Sequence, residues 1–451
     1  MANTLKAGFA RVDITPMLGI EIAGYFETRI ADGVLDTLEI NALAVEAGGK
    51  RAVMLVIDHC GLDKQYLSKY RDAIAEKSGL DREAVMITVT HTHTGPRLDP
   101  DTADSLQLEY DRFLGHRAVD CAQAALEDLK DAQLGIGIGT APNIAFIRRY
   151  VMKDGSIKTN PGVNNPDIVR SVGETDERVN VLRFRRGEND DIVLVNFGCH
   201  PDVVGGCKIS ADWPKFLRTT VEKAIDGSKC LFFNGAQGDV NHVNVFPKKG
   251  DFNDMFNDFD GVSRGYGHAR HMGRVVAGAV LQVFDKVEYL DVDRLQCVER
   301  FMDAPCQMPS ALDDLSVEEA HRIDELHKAG RDDQIPYKAM MLTTMVAQAN
   351  RIVKYENGPE SFRMSLCAIA IGDVAIVGTP GEVFTGVGRG LKQAEGWKLV
   401  CPVINTNQKE GYFPMLDCYT EGGYEARSSR YRAGTAELII EEGKKMLSEL
   451  R

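Results

Sequence analysis

No run in this 451-residue sequence reaches the roughly 20 consecutive apolar residues needed to span a bilayer, so no transmembrane helix is expected. The opening Met1-Ala2-Asn3-Thr4-Leu5-Lys6 lacks the apolar core of a signal peptide, and no export signal is expected. Basic charge is in deficit: the formal net charge is −13, which attracts neither nucleic acid nor an anionic membrane. The ten cysteines contain no C-x-x-C pair, and Cys60, Cys230, Cys367 and Cys401 sit inside apolar runs. That pattern reads as buried thiols in a reducing compartment, so the cytoplasm is the expected location. There is no G-x-S-x-G elbow, no H-E-x-x-H helix and no G-x-x-x-x-G-K-[ST] phosphate loop. Gly135–Gly139 and Gly386–Gly390 stop short of the G-x-G-x-x-G fingerprint, so dinucleotide binding is not supported either. Linkers, low-complexity tracts and internal repeats are also missing.

The composition is that of an ordinary globular chain, with 44% hydrophobic and 26% charged residues, enough to bury a large core. A plausible strand, Gly8–Val12, comes first. Strands are then predicted at Arg51–Asp58, Val85–Thr90, Leu134–Gly139, Val179–Arg185, Ile192–Phe197, Cys230–Asn234, Ser365–Ile371, Val374–Val377 and Leu399–Ile404. Helical patterns cover Lys64–Ser78, Leu106–Leu129, Trp213–Ile225, His268–Phe284, Val317–Ala329, Tyr337–Tyr355 and Thr435–Leu450. The alternation points to an α/β class, with mixed β-sheets flanked by helices and strand-end loops forming a metal site. Residues 1–451 read as one domain, with a mainly helical insertion at about 300–360.

Chemistry concentrates where apolar strands end. Thr90-His91-Thr92-His93-Thr94-Gly95-Pro96 follows the β-branched run Val85–Val89. In an extended strand His91 and His93 share a face, an arrangement suited to a metal, a proton relay or both. Val193–Phe197 likewise runs into Gly198-Cys199-His200-Pro201, a third imidazole at a second strand end. Cys230–Asn234 enters a Gly-punctuated turn bearing Asn234, Gln237, Asp239, Asn241 and His242, where Asp239 reads equally as a partner for a metal-bound histidine or as a turn former. Downstream, Val374–Gly378 leads to Glu382 at the start of a helical pattern, and Gly411-Tyr412 opens a Gly/Tyr-rich loop. The acidic loop 250–261 does not fit the calcium-loop spacing. Its Phe252, Phe256 and Phe259 read as a solvated loop or as a segment covering a site.

In order and content these motifs resemble the catalytic domain of the neutral/alkaline ceramidases, a family of zinc-dependent amide hydrolases. The matching segments are Ala7–Pro16 with Gly24-Tyr25, Thr90–Pro96, Asn196–Pro201, Asn234–Val240, Pro380–Glu382, Gly411-Tyr412 and Tyr424-Glu425-Ala426. The resemblance implies zinc (or another divalent transition metal) on His91, His200, Glu382 and Tyr412. It implies His93 at the substrate's reacting group, and Arg148, or its neighbour Arg149, near the substrate. Two imidazoles and a carboxylate leave zinc a position for a water of lowered pKa.

The chain departs from the ceramide hydrolases at Gly238-Asp239-Val240-Asn241-His242-Val243, where Asn241 replaces a serine given a catalytic part in that family. The family's C-terminal β-sandwich domain is not expected here. Ceramide itself is therefore not the expected substrate. The expectation is a soluble zinc hydrolase of a small amide or a related C–N or ester bond, with Asn234, Asp239, Asn241 and His242 near the substrate or behind the ligands. The expected partner is a small molecule, without nucleic acid or membrane insertion, and homo-oligomers remain compatible. Two other readings stand beside it: a zinc lyase or isomerase of a sugar-like substrate, and a metal-binding sensor or scaffold without turnover.

Overall fold

The computed structural model describes residues 5–102 and 104–451; the N-terminal segment 1–4, read above for an export signal, lies outside the described residues. Three mixed sheets form the body. The first has the order Val85–Val89, Lys50–Ile57, Glu39–Ala47, Lys6–Asp13, Lys130–Asp131. The second runs Ser228–Asn234, Asp191–Phe197, Arg178–Arg185, Gln133–Thr140, Glu288–Leu290, and the third Leu295–Pro305, Ser361–Ile371, Val374–Gly378, Leu399–Val403. Each is antiparallel except for one parallel pair: Lys50–Ile57 with Val85–Val89, Asp191–Phe197 with Ser228–Asn234, and Val374–Gly378 with Leu399–Val403.

Period-two alternation explains how the sheets pack. Along Glu39–Ala47, Leu43, Val45 and Ala47 enter one cluster, while Ile40, Ala42 and Ala44 enter another. The first cluster is shared by all three sheets, taking in Leu182, Leu194 and Phe233 from the second and Ile369, Ile376 and Cys401 from the third. The outer faces are covered by helices: Lys64–Ser78 and Ser105–Glu127 on the first sheet, Asp212–Ala224 and Tyr266–Val283 on the second, Thr385–Lys392 and Thr435–Glu449 on the third. Strands buried on both faces read as unbroken apolar runs, which is why Arg51–Asp58 and Val85–Thr90 are legible within a residue of the observed bounds.

Two long strands, along with the two- to four-residue ones, escape the sequence reading. Glu39–Ala47 and Leu295–Pro305 are rich in Ala, Glu, Gln and Arg, residues with little strand preference, and their pairing partners rather than their propensity make them strands. Leu295–Pro305 pairs with Ser361–Ile371 over its whole length, so the third sheet extends past residue 300 before the helices Val317–Lys328 and Ala339–Tyr355 begin. Those two helices bury a small cluster of their own around Ile323, Leu326, Val346 and Ile352. All ten cysteines are free thiols, eight of them buried.

Candidate metal centre

The C-terminal ends of the three parallel pairs converge, and each sheet delivers one acceptor there. His91 follows Val85–Val89, His200 follows Asp191–Phe197, and Glu382 follows Val374–Gly378. His91 Nε2 and His200 Nε2 lie 3.1 and 3.0 Å from the same carboxylate oxygen, Glu382 Oε2. All three side chains are buried. Their ligand atoms lie within 4.8 Å of one another.

The tautomers follow from what the other ring nitrogens meet. His200 Nδ1 faces the carbonyls of Gln237 and Val240 at 3.0 and 2.9 Å, and His91 Nδ1 faces the carbonyl of Cys60. A carbonyl can only accept, so each Nδ1 carries the proton and each Nε2 presents a lone pair to Glu382. Three acceptors this close repel one another unless a cation sits among them. Among the protein groups themselves that cation is a proton on His91: burial opposes it, but Glu382 and Cys60 outweigh the burial and raise its pKa well above the usual histidine range. Burial and Arg148 push His200 the other way. Burial also opposes the charge of Glu382, yet the two imidazoles hold its carboxyl well below the usual carboxylate range. Tetrahedral zinc, with bonds of about 2.0–2.1 Å, keeps its ligands roughly 3.3 Å apart, so this donor set fits such an ion with small adjustment.

Glu382 does not start a helix as the pattern suggested. It lies in the two-residue strand Glu382–Val383, paired in parallel with Tyr412–Phe413, and the helix begins at Thr385. Register pairs Glu382 with Tyr412, which brings the Tyr412 hydroxyl to 3.4 Å from His200 Nε2. Burial and Glu382, only partly offset by Arg148, keep this phenol protonated well past its ordinary range.

His91 and His93 do come together, with Nε2 atoms 3.3 Å apart, but not by strand periodicity. The strand ends at Val89, and His91 has φ +73°, in the left-handed region that side chains other than glycine rarely adopt. His93 does not join the His91–His200–Glu382 set; it groups with His91 and Cys60. Its backbone N–H donates to the Pro201 carbonyl at 3.0 Å, and Gly24 lies against the ring, where an added Cβ would come within 2.8 Å. Its Nδ1 is 3.5 Å from Asp202 Oδ1, and burial with the two neighbouring imidazoles holds His93 neutral in spite of that carboxylate.

Asp202 was not singled out from sequence, although it stands two residues after His200. It accepts from Tyr25 Oη at 2.5 Å and from two nitrogens of Arg264 at 3.2 Å each. Arg264 also holds Asp260 at 2.9 Å through two bonds and lies 3.5 Å from Asp258, so these two acidic residues of loop 250–261 face a guanidinium instead of forming a cation cage. Phe259 of that loop meets the edge of Tyr25, with ring centroids 5.3 Å apart. The loop therefore covers the cavity in front of His93, which has a volume of about 670 Å³ and reaches Arg148, Asn160, Asn350 and Lys409.

Arg148, not Arg149, faces that cavity. Arg148 donates to Glu425 at 2.6 Å and to the Gly238 carbonyl at 2.8 Å, with its guanidinium 5.2 Å from the centre of the Tyr412 ring. Arg149 is committed to Cys418, Gly422 and Glu421. The four residues expected behind the ligands divide. Asn234 joins two ligand-bearing loops, donating to the Thr90 carbonyl at 3.0 Å and accepting from the Cys199 N–H at 3.3 Å. Gly198 permits this approach, since a Cβ there would lie 2.4 Å from the Ala236 carbonyl. Asp239 does not touch His200; it accepts from the backbone and hydroxyl of Thr385, both at 2.8 Å, and holds the start of that helix. Asn241 donates to Asn160 at 3.0 Å, at the edge of the cavity. His242 turns away, donating from Nε2 to the Ser263 carbonyl at 2.5 Å, and lines a different cavity.

No family model and no curated protein sequence matches this chain. Solved structures do. A neutral ceramidase from Pseudomonas aeruginosa matches 100% of this chain and 75% of its own length, with a TM-score of 0.72 and 18% identity. A ceramidase complexed with C2 matches 99% of this chain and 75% of its own, with a TM-score of 0.73 and 18% identity. At that identity the agreement lies in the path of the chain and not in its side chains, and the fold of this protein is the neutral ceramidase fold.

Proposed function

We propose that the protein is a zinc-dependent hydrolase of a small, soluble amide or a related C–N or ester bond. The observation that carries the reading is the pair of imidazoles, each with Nδ1 spent on a backbone carbonyl and Nε2 aimed at one oxygen of a buried carboxylate. That is the outer-shell arrangement that orients histidines toward a metal. His91, His200 and Glu382 would hold the ion, with the Tyr412 hydroxyl beside them. Bound zinc supplies Lewis acidity, lowering the pKa of water toward neutrality and polarising a carbonyl.

The protein's own groups do the rest. His93, neutral and set between Gly24 and Asp202, takes the proton that the attacking water gives up and passes it to the departing amine, with the Asp202 carboxylate 3.5 Å from its Nδ1. Arg148, fixed by Glu425, keeps part of its guanidinium toward the cavity to orient a substrate oxygen. Thr343, Asn350, Asp63, Asp99 and Lys409 make the cavity wall polar, which suits a compact hydrophilic substrate better than a two-chain lipid. The fold, shared with ceramidases, supports amide chemistry by analogy.

The test couples metal analysis of purified protein with a screen of amides, lactams and N-acyl amino or sugar compounds. We expect about one zinc per chain and release of amine and carboxylate, both lost in Glu382→Ala. Full turnover by metal-free Glu382→Ala protein would overturn the reading.

A further inference from the structure

A second cavity, of about 380 Å³, lies on the far side of loop 250–261 from the metal centre, and none of its lining residues lines the first. Its apolar lining consists of Phe146, Phe252, Phe256 and Met255 with Val163, Val243 and Pro247. Its polar lining includes asparagines, Ser263, Asp251 and three histidines, of which His242 and His268 carry unmatched ring nitrogens. His242 is 1% exposed; its Nε2 is spent on the Ser263 carbonyl, and its Nδ1 has no hydrogen-bond partner. His268, with its ring centre 5.9 Å from that of His242, carries a buried Nε2 that is also without a partner.

The charge state of the rings narrows what fits. Burial, reinforced by His268, pushes His242 down to about 3, and burial with His271 pushes His268 down to about 4. Near pH 7 both rings are neutral. With Nε2–H already donated, His242 Nδ1 is a lone pair that only a donor can satisfy. Among the described residues that line the cavity there is no lysine or arginine, so nothing in it neutralises a phosphate or a carboxylate, and its one carboxylate, Asp251, already accepts from the Lys248 N–H at 2.8 Å and the Asn244 amide at 3.4 Å. Among the described residues, His242 and His268 also belong to no group of three metal-ligating atoms within 4.8 Å of one another. The size, the apolar lining and the unmatched polar atoms of two buried or half-buried imidazoles are the features of a small-molecule site.

We propose that this cavity binds an uncharged planar aromatic molecule through an O–H or N–H donated to His242 Nδ1 or His268 Nε2, with the ring held between the phenylalanines. The site is independent of the metal centre and of whatever reaction occurs there.

The test uses 2-naphthol, followed by its fluorescence, against 2-methoxynaphthalene, which keeps the rings and loses the donor. We expect 2-naphthol to bind wild-type and Glu382→Ala protein with the same Kd. Its methyl ether should bind wild-type protein at least tenfold more weakly, and His268→Leu and His242→Leu should each weaken 2-naphthol about tenfold. If the histidine variants fail to fold, Phe256→Ala, at a half-exposed rim position, should weaken binding about fivefold without altering the fold. Equal binding of the two probes would overturn the proposal, as would indifference to the cavity substitutions. Loss of 2-naphthol binding in Glu382→Ala would overturn it too, by placing the probe at the metal centre.

Discussion

Replacing His91 and His93 separately tests how two neighbouring imidazoles divide their work. At free zinc a hundredfold above Kd, binding adds about 2.7 kcal/mol to folding stability. Unfolding entropy of about 2.1 cal/mol/K per residue over 451 residues comes to roughly 0.95 kcal/mol/K. In a single transition zinc therefore raises Tm by about 3 °C. His91→Ala removes one of the two imidazoles that stand within 3.1 Å of Glu382 Oε2 and leaves that carboxylate buried beside the other alone. If affinity falls a hundredfold, the same zinc now stands at Kd, and the residual gain of about 0.4 kcal/mol shifts Tm by less than 1 °C. His93 lies outside that set, so His93→Ala should keep the full shift and the bound zinc while turnover falls by about 10²–10⁴. Scanning calorimetry with and without zinc, paired with metal content, reads both. Loss of the zinc-dependent shift in His93→Ala as complete as in His91→Ala would refute the division, and so would a full shift in His91→Ala.

Other outcomes follow from other parts of the molecule. Gly24→Ala places a methyl 2.8 Å from the His93 ring at a φ of +109°, and steady-state kinetics with metal analysis should find kcat reduced at least tenfold with zinc retained. Burial raises the Asp212 carboxyl from 3.8 to about 7. Between those pH values the unfolded chain has lost this proton and the folded protein keeps it. Stability is thus fully present below about 3.8 and declines as pH rises through about 7, by up to roughly 4 kcal/mol; Asp212→Asn should flatten that part of a denaturation-against-pH curve. Leu194→Ala empties a fully buried position in the core shared by all three sheets, and urea denaturation should report a loss of about 2–5 kcal/mol. Asn234→Ala cuts the bonds to Thr90 and Cys199, and should lower zinc affinity roughly 10–100-fold in a competition titration although Asn234 is not in the ligand set.

His91 and His200 stood out because each follows an apolar strand at the turn residues that end it, whereas Glu382, which also follows such a run, ranked low on its own pattern and entered the candidate set only through the resemblance to the ceramidases. What escaped was set by tertiary context. Periodicity paired His91 with His93, but the pairing observed depends on a left-handed His91 that no local pattern announces. Asp239 read equally as the partner of His200 or as a turn former; two carbonyls of its own turn take the place beside His200, and backbone groups are invisible in a residue pattern. Asp202 becomes significant only once Arg264, 62 positions away, reaches it. The strand Glu39–Ala47 was missed because its alanines and glutamates prefer helices, and only burial on both faces holds it extended.

The shared core beneath the three sheets ties the arrival of a metal to the order of assembly. His91, His200 and Glu382 come from three separate layers of the molecule and are joined by no short loop closure. No pair of docked layers brings all three acceptors into reach. A nascent chain thus has no competent ligand set until the last layer, which carries Glu382, has packed onto the other two. Under the zinc reading proposed above, capture of the ion would then mark the end of folding and act as a latch on the finished body. Damage to any one layer, however distant from the centre, should release the ion before the chain as a whole unravels.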